Sequence, residues 1–340
     1  MHAARIESHG PLELTWSEAT LPAPGPDQVL IDVHTAGVNY PDVLVVRGTY
    51  QNLAPLPFSP GKEVAGVVRS AGARVVSCRP GDRVIALIEN GGYAEQVVAP
   101  AANTYVLPGE IDFVTAATTL VYQTAHFALL ERGGWRAGQS VLVTGATGGV
   151  GMASVQLAKV LGATVLAAIG TPAKIDFART LGADAIIDTS AADLPESLRE
   201  QVRAVTGGRG ADIVIENVGS PVFEACLRAL AWSGRIVVVG FAGGGLPTLR
   251  ANYLLIRNIA AAGLHWSDYR DRDPDLVRRV QEEILELLRS RRLKPPIAAI
   301  YPMEFAVEAL RQIAARTVMG KLVLVTDAGR RAGIRTGAFN

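Results

Sequence analysis

SVLVTGATGGVGMASVQLAKVLGA, residues 140–163, reads as three events in order: a solid apolar strand, a turn carrying Gly145, Gly148, Gly149 and Gly151, and an apolar helix stopped at Gly162. Glycines at a strand-to-helix turn leave the N–H groups of the helix start uncovered, and a pyrophosphate can rest on them. A Gly-rich turn by itself is a weak signal, so its context decides. TVLAAIG (164–170) follows as a second strand, then a helix from Pro172 to Leu181 and AIIDTS (185–190). DIVIENVG (212–219), a helix over PVFEACLRALAW (221–232), GRIVVVGF (234–241) and NIAAAGLHW (258–266) continue the alternation. Strands that are solid Val, Ile and Ala between amphipathic helices are buried on both faces, which predicts a doubly wound parallel sheet of Rossmann type.

Working outward, residues 1 to about 115 have a different grammar. Short β-branched runs broken by Gly, Pro and Asp (QVLIDVHTAGV, EVAGVVRSAGA, DRVIALI, YAEQVVAP) predict an antiparallel, barrel-like β domain. Within it AGVNYPD (36–42) interrupts two β-branched runs, as a turn or as a site. Downstream, a periodic helix from Pro274 to Ser290 carries Leu276, Val280, Ile284 and Leu287 or Leu288 on one face. PIAAIYP, a helix over EFAVEALRQIAAR and the strand GKLVLVT then rejoin the first domain and make it discontinuous. The expected division is 1–120 with 266–340 against 121–265, and the Gly- and Arg-rich tail AGRRAGIRTGAFN is expected to be mobile.

The 340-residue length suits two cores. Hydrophobic residues make up 49% and charged residues 19%, with no apolar run expected to reach the ~18 residues of a spanning helix. Thirty-three basic against thirty-two acidic residues give a net charge of +1, without the one-sided field that tracks nucleic acid or an anionic membrane. The start, MHAARIESHG, has the pattern of neither a secretory nor a transit segment, so residence in the cytoplasm is expected. Cys78 and Cys226 suit buried apolar positions better than a disulfide or metal site, and His126 and His265 stand at no ligand spacing.

A site for NAD usually carries Asp or Glu at the end of the second strand, where it bonds the ribose 2′-hydroxyl. This chain reads AAIGTPAK there: Gly170 and Thr171 leave room for a 2′-phosphate and Lys174 can neutralise it, unless Lys174 is simply a solvated helix residue.

The ordered set AGVNYPDVLVVRGTY, PGKEVAG, GDRV, GGYAEQVV, GATGGVG, IGTPAK, IENVG, VVVGF and ARTVMGKLVLV resembles the zinc-independent quinone oxidoreductase branch of the medium-chain dehydrogenases/reductases over nearly the whole chain. The resemblance implies an α/β protein, a GroES-like β-barrel catalytic domain beside a Rossmann NADPH-binding domain, with the active site in the cleft between them. The zinc alcohol dehydrogenases of that superfamily carry a Cys ligand in the segment like AGVNYPD and a His in the one like GKEVAG. Here those positions hold Asn39 and Lys62, and the chain has two cysteines in all, so neither zinc site is expected.

By resemblance, Asn39, Asp42 and Tyr50 belong to the substrate cleft and Thr124 lies near the nicotinamide. Gly170, Lys174 and Arg316 surround the 2′-phosphate, and Gly148, Gly149, Val150, Asn217, Gly240 and Phe241 complete the cofactor contacts. Two positions depart from the bacterial pattern: Thr189 stands where a cofactor-contacting Tyr is found, and Leu44 where another cleft Tyr is found. Tyr50 can donate a hydrogen bond to substrate or simply pack. Lys62 can stabilise an enolate, be neutralised by Glu63 or point to water.

A metal-free site suits hydride addition to a quinone or a conjugated carbonyl, because delocalisation spreads the developing charge. The expected partner is that small molecule, and the expected assembly is a homodimer paired through the edge strand NIAAAGLHW. The alternative from another class is an NADPH-binding protein with little turnover, regulatory or scaffolding.

Overall fold

The structure, a computed structural model, describes residues 1–338. The chain divides into two compact units, Met1–Leu120 with the chain from Ser267 on, and Val121–Trp266. Trp266 thus falls in the second unit, one residue beyond the expected boundary.

The second unit holds a six-stranded sheet in the order 185–188, 164–169, 140–143, 211–216, 230–238, 260–263, and every neighbouring pair is parallel. Numbered within the unit this is the order 3-2-1-4-5-6, the doubly wound Rossmann topology. The strands are solid apolar because helices cover both faces: Val141, Leu142, Val143, Val165, Leu166, Val214 and Ile215 are all buried. Two elements differ from expectation. The helix over PVFEACLRALAW ends at Ala229 and the next strand begins at Leu230, since Leu230 and Ala231 are drawn into the sheet beside Ala211. The helix expected from Pro172 to Leu181 opens as a 3-10 turn, Pro172–Lys174, and becomes α-helical over Ile175–Thr180.

The first unit is an eight-stranded sheet organised by one long strand, Gln28–Val38. Its inner half, Gln28 to Asp32, pairs with Gln96–Pro100, while Thr35 to Val38 pair with Lys321–Val325 on the same side. Glu63–Ala71 occupies the other side. The strands Ile297–Pro302 and Lys321–Val325 therefore do rejoin the first domain, as the sequence order implied.

Four further expectations are corrected. DVLVVR, read as a β-branched run, lies in the helix Tyr40–Arg47, whose Val43, Val45 and Val46 pack into the core. In the helix Pro274–Arg289 the buried stripe is Val277, Val280, Gln281, Ile284, Leu285 and Leu288, so Val277 replaces Leu276 on the inner face. The tail is ordered over its described part: Asp327–Arg331 is helical, capped by Thr326, and Gly337–Ala338 pairs with Ile297–Pro302, while Phe339 and Asn340 lie outside the described residues. Gly329 explains the docking, because a Cβ there would sit 2.4 Å from the His34 carbonyl oxygen. The 20-residue helical stretch Phe113–Arg132 is also apolar and long enough to span a membrane by length and composition, contrary to expectation; 72% of its apolar window is buried inside the protein, as in a core helix.

Candidate active site

In the first unit the strand Gln28–Val38 ends where Asn39, in extended conformation, caps the helix Tyr40–Arg47. Asp42 closes the turn by accepting the Asn39 backbone N–H at 2.9 Å and the Tyr93 hydroxyl at 2.8 Å. Asp42, placed in the cleft by resemblance, is fully buried, and its Oδ2 holds the helix start. Burial pushes its carboxyl up to about 6 against the opposing pull of Lys62, Tyr93, Asn39 and Lys321.

Asn39 is also committed to the protein. Its Nδ2 donates to Glu63 Oε1 at 2.9 Å and its Oδ1 accepts from Lys321 Nζ at 2.7 Å. Lys321 Nζ donates further to Glu63 Oε1 at 2.8 Å and to the Val38 carbonyl at 3.1 Å, and Glu63 Oε2 accepts the Leu120 N–H at 2.9 Å. Lys321 is 1% exposed and Glu63 0%, so charge and countercharge are satisfied in the interior. Glu63 therefore belongs to Lys321 and not to Lys62.

Lys62 has its own partner. Its ammonium donates to Glu89 Oε1 at 2.5 Å and to the Glu89 carbonyl at 3.2 Å, and it lies 4.3 Å from the centre of the Tyr50 ring. Glu89 Oε2 is 2.9 Å from Arg270, which also pairs with Asp271. At 4% exposure Lys62 does not point to water. Burial, with Glu89 adding to it, pushes the Tyr50 phenol up to about 12, and a hydrogen bond with Ser267 works in the other direction. Of the four residues expected to be catalytic, Tyr50 and Lys62 are brought together, whereas Asn39 and Asp42 build the scaffold beside them. Glu89, Arg270, Tyr93 and Lys321 were missed. Lys321 carried a readable signal, a charge opening the otherwise apolar strand KLVLV; the others became neighbours only through the fold.

The two former ligand positions are thus an amide spent on Lys321 and Glu63 and an ammonium bound to Glu89. Among the described residues no group of three or more His, Cys, Asp and Glu side chains is placed to hold a metal ion.

In the second unit the candidate cofactor residues line the carboxyl ends of the parallel strands, where open α/β sheets bind ligands. Gly145 turns the chain at φ +57, and the Gly148 N–H returns to its carbonyl at 3.0 Å. Gly148 then caps the helix Gly149–Val160 without a side-chain hydrogen bond, and Gly148, Gly149 and Val150 are partly exposed. Added Cβ atoms distinguish two kinds of glycine. At Gly151 a Cβ would lie 2.1 Å from the Gly145 carbonyl oxygen, so helix and strand need the glycine themselves. At Gly148 and Gly240 a Cβ would meet nothing nearer than 3.5 and 3.9 Å, and the space it would fill is left for a ligand.

Gly170, exposed after the second strand, neighbours Thr189, with 3.4 Å between its added Cβ and Thr189 Oγ1. Lys174 ends the following 3-10 turn. Asn217 is fixed by two bonds that it donates to Thr144, from Nδ2 to the carbonyl and from the backbone N–H to Oγ1. Gly240 and Phe241 follow the fifth strand, with Phe241 37% exposed. These residues share one edge; Thr124 lies in the helix Thr119–His126, and Arg316 belongs to the first unit, where it caps the helix Ala306–Ala315 in a left-handed conformation. One acid went unremarked: Asp188 stands opposite Ile169 on the third strand, its charge held by the Ser190 N–H and hydroxyl.

The uncapped helix start, the open space over Gly148 and Gly240 and the absence of an acid at Gly170 fit a dinucleotide with a 2′-phosphate.

A family model described as alcohol dehydrogenase GroES-like domain matches residues 25–109, and one described as zinc-binding dehydrogenase matches residues 149–282. The chain is 38% identical over 306 residues to a quinone oxidoreductase-like protein 2 homolog of Nematostella vectensis, covering 89% of this chain and 82% of that one. The native structure of a mycobacterial protein complexed with NADPH superposes with a TM-score of 0.89 at 30% identity, covering 96% of this chain and 100% of the other. A quinone oxidoreductase of Pseudomonas syringae gives a TM-score of 0.88 at 28% identity, covering 95% and 99%.

Proposed function

The chain belongs to the zinc-independent quinone oxidoreductase branch of the medium-chain dehydrogenases/reductases, and from that premise we propose that it is an NADPH-dependent reductase of quinones or α,β-unsaturated carbonyl compounds, working as a homodimer. The observation that carries the reading is the occupation of the former ligand positions by Asn39 bound to Lys321 and Glu63, and by Lys62 bound to Glu89. Neither side chain is a thiolate or an imidazole, so the two positions offer no zinc ligand, and the ammonium of Lys62 brings positive charge beside Tyr50.

NADPH, when bound, would supply the hydride. The Gly148–Val150 turn would receive the pyrophosphate, Gly170 would admit the 2′-phosphate and Lys174 would pair with it. The Tyr50 hydroxyl, protonated at neutral pH as any phenol is, donates a hydrogen bond to the acceptor's oxygen as charge develops there. The Lys62 ammonium, 4.3 Å from the ring centre and anchored by Glu89, adds positive potential from behind the ring. Conjugation in the acceptor spreads the remaining charge, so no metal is required.

NADPH oxidation with 1,4-benzoquinone, 9,10-phenanthrenequinone and an enone, before and after prolonged chelation, tests this. Turnover that survives chelation is expected. Tight NADPH binding without turnover on any acceptor would favour the binding-protein reading, and activity restored by zinc alone would overturn the metal-free mechanism.

A further inference from the structure

The second unit carries a cavity of about 240 Å³ at the amino ends of the strands Ala211–Glu216 and Leu230–Val238, on the opposite edge of the sheet from the candidate cofactor residues. Five arginines line it, Arg199, Arg203, Arg209, Arg228 and Arg257, and no acidic side chain does. The indole of Trp232, 78% exposed, stands at its rim.

Helix ends explain part of this charge. Arg203, Arg228 and Arg257 each sit in the last turn of a helix, where a cation complements the dipole. Each helix end is worth about half a negative charge at most. Glu196, bonded to Arg199 at 2.6 Å, adds one more. Against five guanidinium groups this leaves about two to three positive charges uncompensated. The Arg203 and Arg228 guanidinium groups are exposed and make no hydrogen bond or ion pair among the described residues, while the Arg228 carbonyl accepts from Arg257 Nη2 at 3.3 Å. The Arg199 Nε is buried without a partner. Gly208, in the left-handed region at φ +84 and with open space where a Cβ would stand, leaves the wall between Arg203 and Arg209 bare. Like charges gathered around a small cavity repel unless an anion of matching charge enters.

We propose that this cavity binds a nucleoside di- or triphosphate, its phosphate chain among the arginines and its base stacked on Trp232. The cavity is smaller than one that encloses a drug-sized ligand, so it takes the phosphates while the base remains on the rim. Guanidinium groups pair with phosphate oxygens in bidentate fashion, and an exposed indole is a stacking platform for any base.

Calorimetric titration of the full chain with ATP and with inorganic triphosphate tests the site. Both should bind, ATP about tenfold more tightly because only it stacks. Arg203→Ala combined with Arg228→Ala should weaken both ligands at least about tenfold and leave the melting temperature and NADPH oxidation unchanged. Trp232→Ala should weaken ATP and not triphosphate. Lys174→Ala, at the opposite sheet edge, should change neither. The proposal is overturned if neither ligand binds at 1 mM, if the double arginine variant binds as the native chain does, or if Lys174→Ala abolishes ATP binding, which would place ATP at the cofactor edge. None of these outcomes depends on which acceptor the reductase uses.

Discussion

Lys321 has no exposed surface to speak of, yet it carries a full charge among three acceptors, Glu63, Asn39 and the Val38 carbonyl. Removing one partner of a buried pair strands the other, which costs about 3–5 kcal/mol. Lys321→Met should therefore lower the urea midpoint strongly, and Glu63→Gln in the same chain should recover part of the loss because the stranded carboxylate is gone. Equal midpoints for the single and double variants would show that Glu63 finds another partner. Asp42 makes a pH prediction. Its folded-state carboxyl, raised to about 6 from 3.8, binds its proton more readily than in the unfolded chain. The stability it contributes is thus complete below about pH 4 and lost as the pH rises through about 6. Relative to Asp42→Asn, the native chain should gain about 1–3 kcal/mol between pH 7 and pH 4 in urea melts; a difference that stays constant with pH would remove burial as the cause. Lys174 carries the cofactor prediction. A charge-assisted contact of about 1–2 kcal/mol predicts that Lys174→Ala lowers kcat/KM for NADPH about tenfold and leaves NADH nearly unchanged. Equal loss for both would make Lys174 a solvated residue.

The glycine turn and the Tyr40–Arg47 helix show two kinds of legibility at the scale of elements. Gly145, Gly148, Gly149 and Gly151 announced their turn because strand, turn and helix are local. The turn also separates folding from binding. Gly151→Ala must move backbone, since its Cβ would lie 2.1 Å from a carbonyl oxygen, and should cost both stability and cofactor affinity. Gly148→Ala meets no protein atom nearer than 3.5 Å and should melt close to the native temperature while losing cofactor affinity at least about tenfold, because the methyl fills the space over the helix start. Thermal melts and cofactor titrations on the two variants check the contrast. DVLVVR misled for the opposite reason. Val43, Val45 and Val46 favour a strand locally. The Asp42 bond to the Asn39 N–H, Pro41 in the first turn and packing against the helix Ala306–Ala315 make the segment helical.

For the whole molecule, the parallel sheet ends in Ala260–Gly263, which among the described residues pairs only with Leu230–Val238 and leaves its other edge open. Leu246 and Leu255 nearby in sequence are 76% and 80% exposed. An open edge invites pairing, and light scattering at micromolar concentration should show about twice 35.9 kDa; a species of 35.9 kDa alone would count against the homodimer. The sequence by itself determined the doubly wound sheet, the return of the last strands to the first domain and the missing carboxylate at Gly170, because hydrophobic period, glycine placement and strand ends are properties of short stretches of chain. Only the tertiary structure decided who neutralises whom. Lys62 chose Glu89 over its neighbour Glu63, Glu63 chose Lys321 across 258 positions, and Asp42 turned inward to Tyr93. Lys62 stands one residue before the strand that Glu63 opens, yet the two neighbours in sequence find different partners, because a buried charge takes whichever partner the packing of distant strands delivers.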